Sequence, residues 1–292
     1  MRLTRRARAK VNLYLHVAAP DARGYHPLQS LVTFADIGDE ISLIETEISA
    51  KVLMPDLSLS GPFAEGLGAG EDNLILKAVR AFEAAAGCRV DRHAIHLVKN
   101  LPIASGLGGG SADAGAVLHL LREAYAPDMD DEALGAIAAR TGADGVMCLW
   151  ARASLAEGYG ERLTPVAVPS VPALLINPGV ACSTAQVYRD FDAQGTFSRL
   201  DAVAEDIVNV EVLTALLAQT RNDLQTPAVA MQPVIGEVLA ALAAQPETLF
   251  ARMSGSGATC FALCRSDAEA AALGRRMQLM RPNAWTMPCR LG

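Results

Sequence analysis

Four glycines lie within residues 106–110, and Ser111, a residue type that often caps the start of a helix, follows directly. Apolar residues then recur at helical spacing from Ala114 to Tyr125, and this pattern stops before Pro127. Glycines allow positive φ angles and close approach of a ligand to the backbone, while a helix N-terminus offers unpaired N–H groups and a partial positive charge. The pattern therefore predicts an anion site, and the usual anion at such a site is a phosphate.

The alternative interpretation is a plain glycine turn between a strand and a helix. The glycines alone do not distinguish this turn from a phosphate site. A Walker loop is excluded, because Ser111 follows Gly110 directly where that motif needs Lys before Ser or Thr. A dinucleotide fingerprint starting at Gly106 needs Gly or Ala at its sixth position, which is Ser111. A second glycine cluster, at 66–70, precedes Glu71, whose charge would repel phosphate, so we interpret it as a plain loop.

A second candidate is the strand predicted over residues 10–17, where polar and apolar residues alternate. Its polar face carries Lys10, Asn12, Tyr14 and His16. An ordinary solvent-facing strand surface and a surface for a polyanionic ligand both fit this pattern.

Four further residues could contact a ligand. Tyr25 and His26 end a polar turn, where they either pack at the loop exit or contact a base or sugar. Lys99 stands beside the glycine loop, either in solvent or near phosphate. Asp144 follows a predicted helix and would ordinarily be a solvated turn residue, so its importance depends on its neighbours in space.

These residues must be positioned by strands and helices that alternate along the chain, which predicts an α+β fold. Apolar patterns predict strands over 28–34, 40–44, 96–98, 173–176 and 260–263. Capping residues and helical spacing predict helices that start near Asn73, Asp130, Ser183, Pro233 and Asp267.

Composition limits the classes of partner. A net charge of −7 argues against a broad nucleic-acid surface, and no apolar run reaches the ~18 residues of a membrane span. The six cysteines lack CxxC spacing, so we expect buried thiols in a reducing cytoplasm and neither disulfides nor a zinc site. The sequence leaves the oligomeric state open.

Three separated stretches, 9–13, 102–114 and 253–259, resemble the three motifs of the GHMP kinase superfamily. Further likeness, to the branch that acts on a cytidine-diphosphate-linked methylerythritol, lies in residues 24–26, 157–161, 177–179 and 222–224. Each piece alone is a weak signal, and the combination is specific.

The resemblance implies a two-domain GHMP kinase fold, with a ribosomal-protein-S5-like domain over 1–160 and a ferredoxin-like α/β domain over 161–292. It implies ATP-dependent phosphorylation of the 2-hydroxyl of 4-diphosphocytidyl-2-C-methyl-D-erythritol, a step of the non-mevalonate isoprenoid pathway. Magnesium is expected with ATP, although no cluster of carboxylates is evident to fix it and no residue is assigned as a metal ligand.

The resemblance also implies roles for individual residues. Lys10 and Asp144 match the catalytic pair. Substrate contacts are expected at Asn12, Tyr25, His26 and Thr184. ATP contacts are expected at Pro102, Ile103, Ala104, Ser105, Gly106, Leu107, Gly108, Gly109, Gly110, Ser111 and Ala112, with Asn73 and Lys99 near the adenine. Asp113 would repel a phosphate, so we expect its carboxylate to point away from the nucleotide.

One departure from the family pattern lies beside the catalytic acid. The family usually has Val-Pro after this aspartate, whereas Gly145 and Val146 stand here, which predicts a looser turn around Asp144. Two alternatives to the cytidine substrate stay open. One is a GHMP kinase for another small alcohol, such as homoserine or mevalonate, and the other is a nucleotide-binding regulator without catalysis.

Overall fold

The structure, a computed structural model, describes residues 2–46, 56–194, 196–200 and 207–292. Its strands are β1 (Arg2–Asn12), β2 (His16–Val17), β3 (Leu28–Glu45), β4 (Leu57–Ser60), β5 (His93–Val98), β6 (Ser154–Gly158), β7 (Arg162–Pro165), β8 (Val171–Asn177), β9 (Phe250–Met253), β10 (Cys260–Leu263) and β11 (Trp285–Leu291). Its helices are α1 (Leu74–Ala86), α2 (Gly109–Tyr125), α3 (Asp131–Ala139), α4 (Gly145–Trp150), α5 (Thr184–Gln194), α6 (Val210–Ala218), α7 (Gln225–Met231), α8 (Pro233–Ala243) and α9 (Asp267–Met280).

The chain divides into two compact units, each built from several stretches. The first unit consists of Met1–Ala9, Ile37–Ile103 and Gly108–Ala151, and the second of Lys10–Asp36, Ala104–Leu107 and Arg152–Gly292. Strands β1 and β3 and the glycine loop thus each contribute residues to both units. The second unit takes residues from both sides of the domain boundary predicted at 160/161. That boundary stays a prediction.

In the first unit, Glu40–Glu45 of β3 pairs antiparallel with β5, and β4 pairs parallel with the other edge of β5. Helices α1 to α4 complete this unit. The side chain of Asn73 accepts the Ile75 N–H at the start of α1, and Gly87 ends it in the left-handed conformation, as the sequence predicts. Asp130 caps α3 in the same way, because its carboxylate accepts the Ala133 N–H.

In the second unit, β8 is the centre of an antiparallel sheet, flanked by β10 and β11, and β9 lies beyond β10. Every residue of β8 is buried. Apolar residues of α5, α7, α8 and α9 pack with β8 and β10 in one core. This core supports the turn between β9 and β10, at residues 254–259. The turn belongs to the stretch that resembles the third motif of the GHMP kinase superfamily.

Several predicted elements need correction. The strand predicted over 10–17 is interrupted after Asn12, because the Leu13 carbonyl turns to the buried Arg252 guanidinium at 3.0 Å. The strands predicted at 28–34 and 40–44 are one strand, β3. The other predicted strands are present with shifted ends, except β10, which has the predicted ends. The five predicted helices begin at the predicted residue or directly after it.

All six cysteines are free thiols, and five of them are buried while Cys88 is half-buried. Burial raises the pKa of the Cys264 thiol to about 12. Within the described ranges, no single helix is long and apolar enough to cross a membrane, although α7 and α8 pass that test together as a pair bent by 118°.

Candidate active site

The three motif-like stretches meet within the second unit. The Lys10 N–H donates to the Leu107 carbonyl at 2.8 Å, and the Thr259 N–H donates to the Ser105 carbonyl at 3.1 Å. The loop segment Ala104–Leu107 is therefore held on one side by the end of β1 and on the other by the turn after β9. Residues more than 90 positions apart in sequence are joined here by main-chain hydrogen bonds.

Ser254 adds a bridge between these stretches. Its hydroxyl accepts the Asn12 N–H at 3.1 Å and donates to the Gly106 carbonyl at 3.1 Å. Gly106 has φ 79°, and a Cβ at this position would lie 2.5 Å from the Ser254 carbonyl oxygen. Glycine is therefore required at residue 106 by both backbone conformation and close packing.

The side chain of Lys10 lies at one end of a buried chain of hydrogen bonds. Its Nζ donates to Asn12 Oδ1 at 2.7 Å, and Asn12 Nδ2 donates to Ser30 Oγ at 2.7 Å. Ser30 Oγ then donates to the Tyr14 carbonyl at 2.5 Å. Lys10 is only 6% exposed and Ser30 only 1%. Ser30 is a residue to which no sequence pattern points.

The turn after β9 is fixed by residues from two other segments of the second unit. Asn222 Nδ2 donates to the carbonyls of Met253 and Gly255, at 2.9 and 2.8 Å. The Thr184 and Ser256 hydroxyls lie 2.7 Å apart. Thr184, a predicted substrate contact, is thus adjacent to the motif-like turn. The sequence marks Asn222 only as part of a family-like triplet and does not predict that it holds this turn.

In the first unit, the glycine loop enters α2 through Gly108, not through Ser111 as predicted. Gly108 is the N-cap residue with φ 64° and makes no side-chain cap hydrogen bond, so Ser111 lies in the first turn of the helix. The first N–H groups of a helix have no carbonyl partner within the helix. The start of α2 is therefore suited to an anion, in agreement with the anion site that the sequence predicts.

A buried cluster of charges lies beside the start of α2. Lys99 Nζ donates to Asp39 Oδ2 and, at 2.9 Å, to Asp113 Oδ2. Asp39 Oδ1 also accepts the N–H groups of Asn100 and Leu101, at 2.6 and 2.8 Å. The cluster therefore ties the residues before the glycine loop to the first turns of the helix after it. Asp39 was missed, and the adenine contact of Lys99 stays a prediction.

Burial and the neighbouring charges shift the pKa values of Asp113 and Lys99 upward. Desolvation raises the pKa of Asp113 to about 7, although the charge of Lys99 opposes this effect. Desolvation alone would lower the pKa of Lys99, but the charges of Asp113 and Asp39 outweigh it and the pKa is raised. Asp113 Oδ1 has no hydrogen-bond partner within the part of the chain that the structure describes.

Asp144 is the N-cap residue of the short helix α4, also in the first unit. Gly145 packs so tightly that a Cβ would lie 2.1 Å from the Ala138 carbonyl oxygen. At the other end of α4, a Cβ on Gly115 of α2 would lie 2.8 Å from Leu149 Cα. Gly145 therefore makes a close contact with α3 that leaves no room for a side chain, and the predicted loosening beside Asp144 stays a prediction.

Tyr25 and His26 lie in the second unit and differ in their surroundings. Tyr25 is 64% exposed, and its ring packs edge-on to the Tyr159 ring at a centroid distance of 6.2 Å. The His26 ring hydrogen bonds to the Ala18 carbonyl at 2.8 Å and lies 3.0 Å from Asp192 Oδ1. Tyr25 thus presents an open aromatic face, whereas His26 is held in place.

The predicted site residues divide between the units. The second unit contains the predicted site residues Lys10, Asn12, Tyr25, His26, Ala104–Leu107 and Thr184. The first unit contains Asn73, Lys99, Pro102, Ile103, Gly108–Ala112 and Asp144. The pairing of Lys10 with Asp144 stays a prediction. Among the described residues, no group of three or more His, Cys, Asp or Glu could hold a metal ion.

Two family models match the chain. The model for the GHMP kinases N terminal domain matches residues 73–152, and the model for the GHMP kinases C terminal matches residues 200–281. The first match contains the glycine loop and Asp144, and the second contains the turn after β9.

Two full-length relatives carry the same name. The chain is 50% identical over 295 residues to the 4-diphosphocytidyl-2-C-methyl-D-erythritol kinase of Caulobacter vibrioides (strain NA1000 / CB15N), with 100% of each chain covered. It is 46% identical to the kinase of the same name from Hyphomonas neptunium, with 98% of this chain and 95% of that one covered.

Solved structures agree. A crystal structure of 4-(cytidine 5'-diphospho)-2C-methyl-D-erythritol kinase matches with a TM-score of 0.77 at 32% identity, covering 99% of each chain. Homoserine kinase from Cytophaga hutchinsonii matches with a TM-score of 0.65 at 19% identity, covering 97% of this chain and 93% of that one, which shows the shared fold alone. The predicted two-domain α+β GHMP kinase fold is confirmed, and the chain is a member of the 4-diphosphocytidyl-2-C-methyl-D-erythritol kinase family of GHMP kinases.

Proposed function

We propose that this kinase transfers the γ-phosphoryl group of ATP to the 2-hydroxyl of 4-diphosphocytidyl-2-C-methyl-D-erythritol, in the non-mevalonate isoprenoid pathway. Identity of 50% over the full length to a kinase of that name supports the substrate. The observation that carries the proposal at the level of residues is the clamp on Ala104–Leu107 by Lys10 and Thr259, which joins the three motif-like stretches. A cytoplasmic location is part of the proposal.

Phosphoryl transfer requires mainly positioning and stabilisation of the charge on the transferred group. The glycine loop and the first N–H groups of α2 would bind the ATP phosphates. Asp144 would accept the proton of the attacking hydroxyl as a general base, and the Lys10 ammonium would stabilise the charge on the phosphoryl group. Asn12 would orient the acceptor, and Tyr25 would stack on the cytosine.

Magnesium would accompany ATP, as is usual for kinases. The described residues offer no cluster of three metal-binding side chains, so we assign no protein ligand to this ion and route no step through it.

An ADP-release assay with three acceptors tests the proposal. The cytidine substrate is expected to give kcat/KM at least ~100-fold above homoserine and mevalonate, because the pocket would lose its nucleoside contacts with either small alcohol. A preference for homoserine or mevalonate would indicate a GHMP kinase for another small alcohol. If the protein binds ATP but releases no ADP in the presence of any of the three acceptors, it is a non-catalytic regulator.

A further inference from the structure

Ser30 accepts a hydrogen bond from the side chain that holds Lys10, and the direction of each bond in this chain can be derived. The Tyr14 carbonyl can only accept, so the Ser30 hydroxyl must donate its one proton there, at 2.5 Å. The atom of Asn12 that faces Ser30 at 2.7 Å must then be a donor, which is Nδ2. The other end of the same amide, Oδ1, is thereby turned toward Lys10.

The hydrogen bond between Lys10 and Asn12 independently requires the same orientation of the Asn12 amide. An ammonium only donates, so the Asn12 atom 2.7 Å from Lys10 Nζ must be the acceptor Oδ1. Both ends of the chain therefore require the same orientation of the Asn12 amide. If the amide rotated by half a turn, its NH₂ group would face the ammonium and its oxygen would face a serine with no proton to offer.

Because the three side chains are buried, the direction of these hydrogen bonds fixes the orientation of the Asn12 amide. Asn12 and Lys10 are each 6% exposed and Ser30 is 1% exposed, so water does not readily replace a lost partner. The backbone of Asn12 is also fixed, because its N–H donates to Ser254 Oγ at 3.1 Å. The side-chain amide is therefore the part of Asn12 whose orientation depends on Ser30.

We propose that Ser30 is a positioning residue of the phosphoryl transfer: its hydroxyl sets the orientation of the Asn12 amide, and that amide sets the position of the Lys10 ammonium. This inference rests on the proposed function. It assigns Ser30 no contact with either substrate, so its removal affects the rate more than the binding of ATP or of the acceptor.

A matched control lies on the same strand. Thr33 of β3 is fully buried like Ser30, but its hydroxyl has no hydrogen-bond partner within the described residues. Replacing Thr33 by Val removes a buried hydroxyl from β3 without breaking the chain to Lys10. The pair Ser30→Ala and Thr33→Val therefore separates the hydrogen-bond chain from general packing of this strand.

The test measures kcat and both KM values by ADP release, with the unfolding midpoint as a check on folding. Ser30→Ala is expected to lower kcat roughly 10- to 100-fold, the equivalent of one buried hydrogen bond, with each KM within about threefold of wild type. Thr33→Val is expected to keep the wild-type kcat. Wild-type kcat in folded Ser30→Ala, or an equal loss in Thr33→Val, would overturn the inference.

A double variant tests the route by which Ser30 affects kcat, with its unfolding midpoint as the check on folding. Because Ser30 acts through Asn12, adding Ser30→Ala to Asn12→Ala is expected to leave kcat where Asn12→Ala alone puts it. A further fall of tenfold or more would show that Ser30 acts by another route and would overturn the inference. A wild-type protein that releases no ADP with any acceptor would instead refute the proposed function, so the two failures are distinguishable.

Discussion

Gly145 lies against the Ala138 carbonyl so closely that a Cβ built on it would be 2.1 Å from that oxygen and 2.8 Å from Thr141 Oγ1. Thr141 Oγ1 itself donates to the same carbonyl at 2.7 Å. The start of α4, where Asp144 is the N-cap residue, is therefore seated on the end of α3 without a side chain between them.

Gly145→Ala is expected to destabilise the protein by about 1–3 kcal/mol, because the added methyl must push α4 away from Ala138. Asp144 would move with it, so kcat should fall at least tenfold. Gly135→Ala is the control: its Cβ would meet only Trp150, at 3.9 Å, and alanine favours the helix α3. Thermal unfolding and ADP release check both variants, and a wild-type kcat in Gly145→Ala would contradict the expectation.

Asp144→Asn tests the general base directly. The amide keeps the size of the side chain but cannot accept the proton of the acceptor hydroxyl, so kcat is expected to fall roughly 10²- to 10⁴-fold. ATP affinity, measured by calorimetry, should stay within about threefold of wild type, since the residue has no proposed contact with the triphosphate. Turnover at the wild-type rate would refute the role of Asp144.

Gly106→Ala is expected to weaken ATP binding by disturbing the clamped loop. Part of the effect comes from backbone strain, because alanine disfavours the φ of 79° at residue 106. The other part comes from a clash, because the new Cβ would lie 2.5 Å from the Ser254 carbonyl oxygen. Gly66→Ala separates these causes, because Gly66 has φ 83° but no atom within 4 Å of a built Cβ. Both variants should lose about 1 kcal/mol of stability from backbone strain, and only Gly106→Ala should raise KM for ATP. Equal KM values would argue against the loop assignment.

Asp113 makes stability depend on pH. Burial raises its pKa in the folded protein to about 7, above the ordinary value of 3.8. The folded state therefore holds the proton more tightly than the unfolded state, and this contribution is complete below pH 3.8 and is lost as pH rises through about 7. Asp113→Asn cannot ionise, so its stability relative to wild type should increase between pH 5 and pH 8. Denaturant unfolding at pH 5 and pH 8 measures the free energy of unfolding of both proteins. If that free energy changes equally in wild type and Asp113→Asn, the prediction is contradicted.

Tyr25→Ala is expected to raise KM for the cytidine substrate at least fivefold while KM for ATP and the unfolding midpoint stay unchanged, because the ring is 64% exposed and available for stacking. Tyr25→Phe keeps the ring and should behave as wild type. His26→Ala is a less clean test, since the His26 ring also packs against Phe191 and Phe197, so its loss should lower stability as well. Equal changes in both KM values would contradict the assignment.

Much of the fold was predictable where capping residues and apolar periodicity agree, as at Asn73 and Gly87 of α1. The errors arose where tertiary contacts outweigh the local pattern. Asp39 is a charged residue between the strands predicted over 28–34 and 40–44, and it is fully buried because Lys99 and two backbone N–H groups pair with it. No spacing rule reveals a partner 60 residues away.

The sequence indicates the three motif-like stretches that meet at the candidate site, but not the residues that hold them. Ser30 and Asn222 are ordinary polar residues in sequence, and only the distances to Asn12 and to the turn after β9 indicate their importance. The close contact of Gly145 with the Ala138 carbonyl is likewise not visible in the sequence, because it exists only in the folded chain.

The clamp on Ala104–Leu107 uses main-chain atoms of the loop at Ser105, Gly106 and Leu107, since each of these residues contributes its carbonyl oxygen. Such bonds are indifferent to the identity of the side chain that the loop carries. A library that randomises codons 104 to 107 and is selected for activity should therefore recover several small residues at 105, where the side chain is buried, and Gly or Asn beside Ala at 104, where φ is 50°. Selection should retain glycine alone at 106, so tolerance to mutation would change abruptly between neighbouring codons of one loop.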